Sequence, residues 1–328
     1  MRAFQISLVD DVLRSGVTDV TARPRDEGDI LVRVDYSGVN FKDAMVIDPT
    51  QRVRRVTQLI GGVDAAGVIA ESSDPSLPVG ERVAVHGGDL GVGRDGGFAP
   101  YVYAPARFVS VLPGSLSTRA AMIFGTAGLS AMASVLALEE RGPLEGDVLV
   151  TGATGGVGSI AVALASARGH RVVASTGSSG ARAWLQELGA ALVIGREEIA
   201  DKPDRVLASE RWAGAVDCVG GDTLAQILRS LRYGAAVAAS GLVAGAALTT
   251  TVYPFITRAV GLLGVDVVEM PPAHRARTWH ALAETASLFD VESLLDHEVD
   301  LEGVAHALEV IRGGATRGRI LVNPTTGA

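Results

Sequence analysis

VTGATGGVGS, residues Val150 to Ser159, places four glycines in ten residues directly after the apolar run Val148-Leu149-Val150. Glycine allows tight turning and lets a ligand approach bare backbone. Gly152, Gly155 and Gly158 recur at a spacing of three, and the apolar run Ser159-Ile160-Ala161-Val162-Ala163-Leu164-Ala165 follows with no helix breaker. The glycines therefore sit between a strand and a helix, where free backbone N–H groups and the positive helix end attract phosphate. This order is the dinucleotide-binding arrangement, although its spacing departs from the strict G-x-G-x-x-G form. A plain tight turn is the alternative reading of the glycines alone.

Outward from this stretch the texture is regular. Strands are expected over 148–151, 171–176, 191–194, 214–219 and 235–240, alternating with helices over 156–168, 180–188 and 222–232. Such alternation predicts a parallel sheet with helices on both faces. A further strand is expected over 260–268, a helix over 273–289, and a last strand over 319–322 that returns to the first domain. Before residue 115 the pattern differs: short apolar runs such as Ile30–Tyr36, Gly67–Ala70 and Arg82–His86 are separated by Gly, Pro and Asp. That predicts an irregular β-rich, barrel-like domain. A helix capped by Ser117 and a long Ala/Leu helix over 129–140 join the two regions.

Composition narrows the function. At 328 residues two domains are expected, and 48% hydrophobic content with a mean hydropathy of +0.29 supplies a sizeable core. A net charge of −8 argues against a nucleic-acid partner. No apolar run approaches the roughly 20 residues that span a bilayer, and MRAFQISLVDD does not read as a signal peptide. One cysteine, Cys218, excludes an internal disulfide framework, so a cytoplasmic protein is expected. The same count, with six histidines at no ligand spacing, cannot supply a two-Cys, one-His catalytic zinc site. We expect no metal; hydride transfer to a conjugated carbonyl needs none.

The second strand of a dinucleotide domain usually ends in an acid that holds the ribose. Here it ends Ala174-Ser175-Thr176-Gly177-Ser178-Ser179, with no acid until Glu187 and with Arg182 nearby. A carboxylate would repel a 2′-phosphate, so its absence favours NADPH over NADH.

Eight segments in chain order carry a resemblance: YSGVNFKDAM (Tyr36–Met45), GGVDAAG (Gly61–Gly67), FGTAGLSAM (Phe124–Met132), VTGATGGVGS, ASTGS, RWAGAVDCVGG (Arg211–Gly221), ASGLVAG (Ala239–Gly245) and TVYPFITR (Thr251–Arg258). The chain resembles the zinc-free medium-chain dehydrogenase/reductases, specifically the acrylyl-CoA reductase subfamily, whose members also carry the label quinone oxidoreductase. The resemblance implies an α/β fold in which a GroES-like β-rich catalytic domain (1–115, with 290–328 returning to it) accompanies a doubly wound Rossmann domain (116–289). It also implies a cleft between them and a homodimer. Where zinc-containing relatives read Gly-His-Glu, this chain reads Gly62-Val63-Asp64.

Carried over position by position, the resemblance implies that Thr154, Gly155, Gly156 and Val157 cradle the pyrophosphate. Thr176, Gly177 and Ser178 meet the 2′-phosphate with Arg196. Phe41, Leu242 and Ile256 line the nicotinamide end, Val267 stands at a cofactor-binding position where the family often has Ser, and Arg319 reaches the cofactor from the last strand. Phe41 stands where the subfamily usually has Tyr, so no hydroxyl is available there to donate a proton. Ser178 replaces a usual Lys or Arg.

For the reaction, charge developing on a carbonyl oxygen calls for donors aimed at it. Asn40 is the candidate amide donor, with a satisfied turn residue as its bland alternative. Asp64 is the candidate orienting carboxylate, with structural hydrogen bonding as its alternative. The run Arg52-Val53-Arg54-Arg55 is the one basic cluster in an acidic protein and could meet CoA phosphates; a solvated face is the plainer reading. The expected activity is NADPH-dependent reduction of the C=C bond of a small enoyl-CoA by hydride transfer to the β-carbon. An NADPH:quinone or enone reductase is the nearest alternative, and a non-catalytic NADPH-binding sensor the alternative from another class.

Overall fold

The computed structural model describes residues 1–21, 27–199 and 206–326, which divide into two units. Unit 1 comprises Met1–Ala127, Val267–Ala283 and Val291–Ala328; unit 2 comprises Gly128–Asp266 and Glu284–Asp290. Residues 116–127 and 267–283, read from sequence with the nucleotide-binding region, fall in unit 1.

In unit 1 the strands are β1 (Arg2–Val9), β2 (Val12–Asp19), β3 (Asp29–Val39), β4 (Gln58–Ile60), β5 (Asp64–Glu71), β6 (Arg82–His86), β7 (Tyr101–Pro105) and β8 (Val109–Val111). The short helix α1 (Phe41–Val46) follows β3 directly. β2, β1 and β4 form a small antiparallel sheet. β3 anchors the larger one because its eleven residues are long enough to pair with β5 and β7 and with the last strand of the chain. Its alternation drives Ile30, Val32 and Val34 into one core with Val83, Val85 and Val102.

Helix α2 runs Thr118–Glu139, but Gly125 at φ 53°, ψ −154° breaks it into two pieces. By length and composition alone it could cross a membrane, which corrects the reading that no apolar run comes close. Its most apolar window is 78% buried inside the protein, so core packing accounts for its hydrophobicity.

Unit 2 carries β9 (Asp147–Val150), α3 (Gly156–Ala167), β10 (Arg171–Thr176), α4 (Arg182–Glu187), β11 (Leu192–Gly195), β12 (Gly214–Asp217), α5 (Gly221–Ser230), β13 (Ala236–Ala239), α6 (Tyr253–Arg258) and β14 (Gly261–Gly264). Its six strands run parallel in the order β11-β10-β9-β12-β13-β14. Apart from Asp147 at the start of β9, the central strands β9 and β12 are buried, as expected where helices cover both faces. The order reverses at β9, and at such a switch point ligands bind beyond the carboxyl ends of the strands. β14 is shorter than the expected 260–268 because its ladder with β13 ends at Gly264.

The chain finishes with α7 (Pro272–Ala286), β15 (Leu295–Val299), α8 (Val304–Arg312) and β16 (Arg319–Val322). β16 pairs antiparallel with β3, through Ile320 opposite Val39, and parallel with β15.

Candidate functional site

The turn from β9 into α3 uses each glycine differently. Gly152 takes φ +58°, a conformation costly for other residues. Gly155 is the N-cap of α3, and its N–H donates to Gly152 O at 3.0 Å. At Gly158 a Cβ would lie 2.2 Å from Gly152 O, so only glycine lets the helix pack this closely on the turn. Thr154, Gly155, Gly156 and Val157 are all partly exposed, and the N–H groups of the first turn have no intrahelical acceptor. A twelve-residue helix whose bare first turn is ringed by glycine fits a pyrophosphate.

β10 ends beside this turn. Ala153 N donates to Ser175 O at 3.1 Å, and the hydroxyls of Thr154 and Thr176 lie 3.5 Å apart. Ser178 N donates to Thr176 Oγ1 at 3.0 Å, shaping the loop that follows. Arg196, directly after β11, lays its guanidinium on Gly177: a Cβ there would be 2.5 Å from Nη2 and 2.9 Å from Nε. Thr176, Gly177, Ser178 and Arg196 are thus brought together, with an exposed cation where a ribose-binding acid would otherwise stand. Arg182 instead donates to Val193 O at 2.6 Å.

Asp217 closes the floor of this region. Fully buried at the end of β12, it accepts bonds from Thr151 Oγ1 (2.6 Å) and from the amides of Val219 (3.3 Å) and Gly220 (2.8 Å). Thr151 Oγ1 in turn accepts from Cys218 N at 3.1 Å. Burial pushes the Asp217 carboxyl up from its ordinary value. The Cys218 thiol is driven up to about 12, chiefly by burial, so it stays protonated at neutral pH. Neither Thr151 nor Asp217 stood out in the sequence; their contact spans 66 residues.

Unit 1 holds a second polar cluster at the start of α1. Asp64 Oδ1 accepts from Gly38 N (3.0 Å), and Oδ2 accepts from Thr126 N (2.9 Å) and from Asn40 Nδ2 (2.9 Å). Asn40 sends its other Nδ2 hydrogen to Gly38 O at 3.1 Å. Both amide hydrogens are therefore spent inside the protein, which corrects the reading of Asn40 as a donor aimed at a substrate oxygen. Asp64 is likewise wholly buried and bonded on both oxygens, so it organises the backbone and does not meet a ligand.

Arg319 is the third correction. Its side chain, read as a cofactor contact, is buried in this cluster, donating from Nε to Ile123 O (3.0 Å) and from Nη1 to Val39 O (3.0 Å) and Asn40 Oδ1 (3.2 Å). Burial lowers its pKa; Asp64 and Asp43 counter this.

Asp43 reaches back from the first turn of α1 to accept from Asn40 N at 2.8 Å and from Val63 N at 2.9 Å. The Asn-x-x-Asp spacing carries that capping signal. Burial and the neighbouring Asp64 raise Asp43 to about 7, against the pull of its two amides and Arg319.

Phe41, Leu242 and Ile256 are exposed, as residues that meet a ligand must be, whereas Val267 is buried within unit 1 and packs as a core residue. In the loop after α1, Val53 and Val56 pack on the apolar core while Arg52 and Arg55 are exposed. Among the described residues no group of three His, Cys, Asp or Glu is placed to hold a metal.

This glycine turn on a six-stranded parallel sheet, with a β-rich unit in the same chain, defines a nicotinamide-dinucleotide type of oxidoreductase fold. The chain belongs to the medium-chain dehydrogenase/reductase family. It matches the alcohol dehydrogenase GroES-like domain over residues 26–114 and the zinc-binding dehydrogenase family over residues 156–304. "Putative quinone oxidoreductase YhfP" of Bacillus subtilis is 41% identical over 98% of both chains, and the crystal structure of yhfP with NAD bound superposes with a TM-score of 0.95 over 98% of each. Acrylyl-CoA reductase AcuI of Ruegeria pomeroyi is 39% identical over 98% of this chain and 99% of that one. The yhdH oxidoreductase from Salmonella enterica, in complex with NADP, is 38% identical with a TM-score of 0.93, covering 98% and 99%.

Proposed function

We propose that this enzyme uses NADPH to reduce the C=C bond of a small α,β-unsaturated acyl-CoA, adding hydride at the β-carbon. The observation that carries the cofactor choice is the seating of Arg196 on Gly177 at the end of an acid-free β10. Bound there, NADPH supplies the hydride. The first turn of α3 would hold the pyrophosphate, while Thr176, Ser178 and Arg196 would take the 2′-phosphate. Leu242 and Ile256, exposed on unit 2, would offer apolar surface to the nicotinamide, and Phe41 is an exposed apolar residue of unit 1. With Asn40 committed internally, catalysis rests on orientation, and the α-carbon proton is drawn from water.

The acyl-CoA reading is supported by the likeness to acrylyl-CoA reductase and by two exposed arginines on a loop pinned by valines. Phe41, which has no hydroxyl, and the likeness to YhfP favour the second reading, a quinone or enone reductase. We further propose a cytoplasmic homodimer, since among the described residues β14 pairs only with β13 and leaves Leu262 exposed along a free edge.

The test is loss of NADPH absorbance with acrylyl-CoA, crotonyl-CoA, benzoquinone and methyl vinyl ketone in parallel, repeated with NADH. Saturable preference for acrylyl-CoA with NADPH is expected. Equal rates on free enones and quinones would replace the acyl-CoA reading with the second.

A further inference from the structure

Arg319 is the least expected charge in the molecule. A guanidinium taken fully out of water is strongly unfavourable unless its surroundings compensate. Here the compensation has an unusual form: all three of its hydrogen bonds go to carbonyl oxygens, those of Ile123, Val39 and the Asn40 side chain. These acceptors belong to the first piece of α2, the end of β3 and the cap of α1. Asp43 on α1 and Asp64 on β5 are the charged groups that face it, and both act through space. Nη2 has no partner, and the surroundings are shaped to it. A Cβ at Gly38 would sit 2.5 Å from Nη2, and one at Gly125 3.0 Å. Gly125 is the kink in α2, and that kink also directs Thr126 N onto Asp64.

Two of the three bonds converge on the two residues immediately before Phe41. Val39 O and Asn40 Oδ1 are gripped by one nitrogen, and Asn40 in turn is tied to Asp64 and Asp43. An ion pair made for stability would put the guanidinium on a carboxylate. This guanidinium instead orients a turn.

We propose that Arg319 is a positioning residue for the reaction, fixing Val39 and Asn40 so that Phe41 is presented at the start of α1. The proposal rests on the reading of Phe41 as a residue of the reaction site. It gives the last strand a part in turnover without contact to cofactor or substrate.

Arg319→Met, Arg319→Lys, Asn40→Ala and the double variant Arg319→Lys/Asn40→Ala test it, each assayed for kcat, KM, NADPH binding by the cofactor's own fluorescence, and thermal midpoint. The Met variant is expected to lose about tenfold or more in kcat, with NADPH affinity within about twofold, and the Lys variant to recover part of the loss. In the Met variant Asp43 loses the cation that draws its carboxyl down, so the pH–rate limb set by Asp43 moves to higher pH; Lys moves it back. The double variant is expected to be no slower than the slower single one, because Arg319 acts through Asn40.

A rise in the NADPH dissociation constant at unchanged kcat would restore Arg319 to the cofactor. A lowered thermal midpoint with normal kcat below it would make the role purely structural, and additive losses in the double variant would break the link through Asn40. Each of these overturns the proposal. If Arg319→Met does not fold, the Lys variant and the double-variant comparison decide the same question. Wild-type turnover of benzoquinone without preference for acyl-CoA overturns only the substrate reading, and the Arg319 series is then read on benzoquinone. Turnover of no acceptor overturns both.

Discussion

Gly177 and Arg196 occupy one another's space: a methyl group at Gly177 would stand 2.5 Å from Nη2 of Arg196 and 2.8 Å from Cζ. The glycine is needed for what lies over it. Because the obstructing atoms end a flexible, exposed side chain, Gly177→Ala should fold normally and push the guanidinium aside. NADPH binding is expected to weaken about tenfold, or about 1.4 kcal/mol, with NADH affinity nearly unchanged. Arg196→Gln should do the same. Cofactor titration with both nucleotides checks it, and an equal loss for NADH would remove Arg196 from the 2′-phosphate.

Gly158 presents the opposite case, since the atoms within 2.8 Å of its missing Cβ are backbone of Gly152 and Ala153. Nothing there can swing away. Gly158→Ala is expected to force α3 off the turn, lowering the thermal midpoint and abolishing NADPH binding together. Retained binding in a calorimetric titration would show that the turn can open without loss of the phosphate cradle.

Thr151→Val keeps the shape of the side chain and removes one hydroxyl. Asp217 then loses its shortest bond while remaining fully buried, and Cys218 N loses its acceptor. A loss of about 1–3 kcal/mol in unfolding free energy is expected. Denaturant unfolding measures it, and Thr151→Ser, which keeps the hydroxyl, should recover most of the loss.

Two buried groups pull stability in opposite directions with pH. Asp43 is raised from 3.8 to about 7, so the stability linked to its proton is present below 3.8 and lost as pH rises through about 7. His86 is wholly buried and lowered from 6.5 to about 3, first by burial and then by Arg275. Its contribution is present above 6.5 and lost as pH falls toward 3. Between 3.8 and 6.5 the two slopes oppose each other. In Asp43→Asn the melting temperature should climb with pH across that window; in His86→Phe it should fall. The wild type should be flatter than either, as thermal scans at a series of pH values will show.

Arg52→Gln/Arg55→Gln is expected to raise KM for acrylyl-CoA about tenfold while leaving KM for methyl vinyl ketone unchanged. The difference should shrink at high salt, as it does for exposed charges. An equal effect on both substrates would detach the loop from the CoA phosphates.

The sequence disclosed the nucleotide half well because its signals are local. Gly152, Gly155 and Gly158 fall within seven residues, and the strands alternate with helices at short range. The absence of an acid after Ser175 could likewise be read directly. The cluster around Asn40 was opaque for the converse reason. Asn40 meets Asp64 across 24 residues and Arg319 across 279, so neither partner could be named from spacing, and both donors of the amide looked free. The sequence separates a helix capped by Ser117 from one over 129–140, and Gly125 is where the structure makes that break. Family resemblance placed Arg319 and Val267 on the cofactor; burial within unit 1 gives them other work.

The strand that carries Arg319 also fixes when unit 1 can be finished. Val39 O waits for a donor 280 residues downstream, and β3 lacks its β16 neighbour until then. During synthesis, Asp43 and Asp64 therefore emerge from the ribosome long before the cation that offsets them. Segments of unit 2 are translated in between and, with contacts of much shorter range, can form first. Unit 1 is complete only once the strand carrying Arg319 has been made.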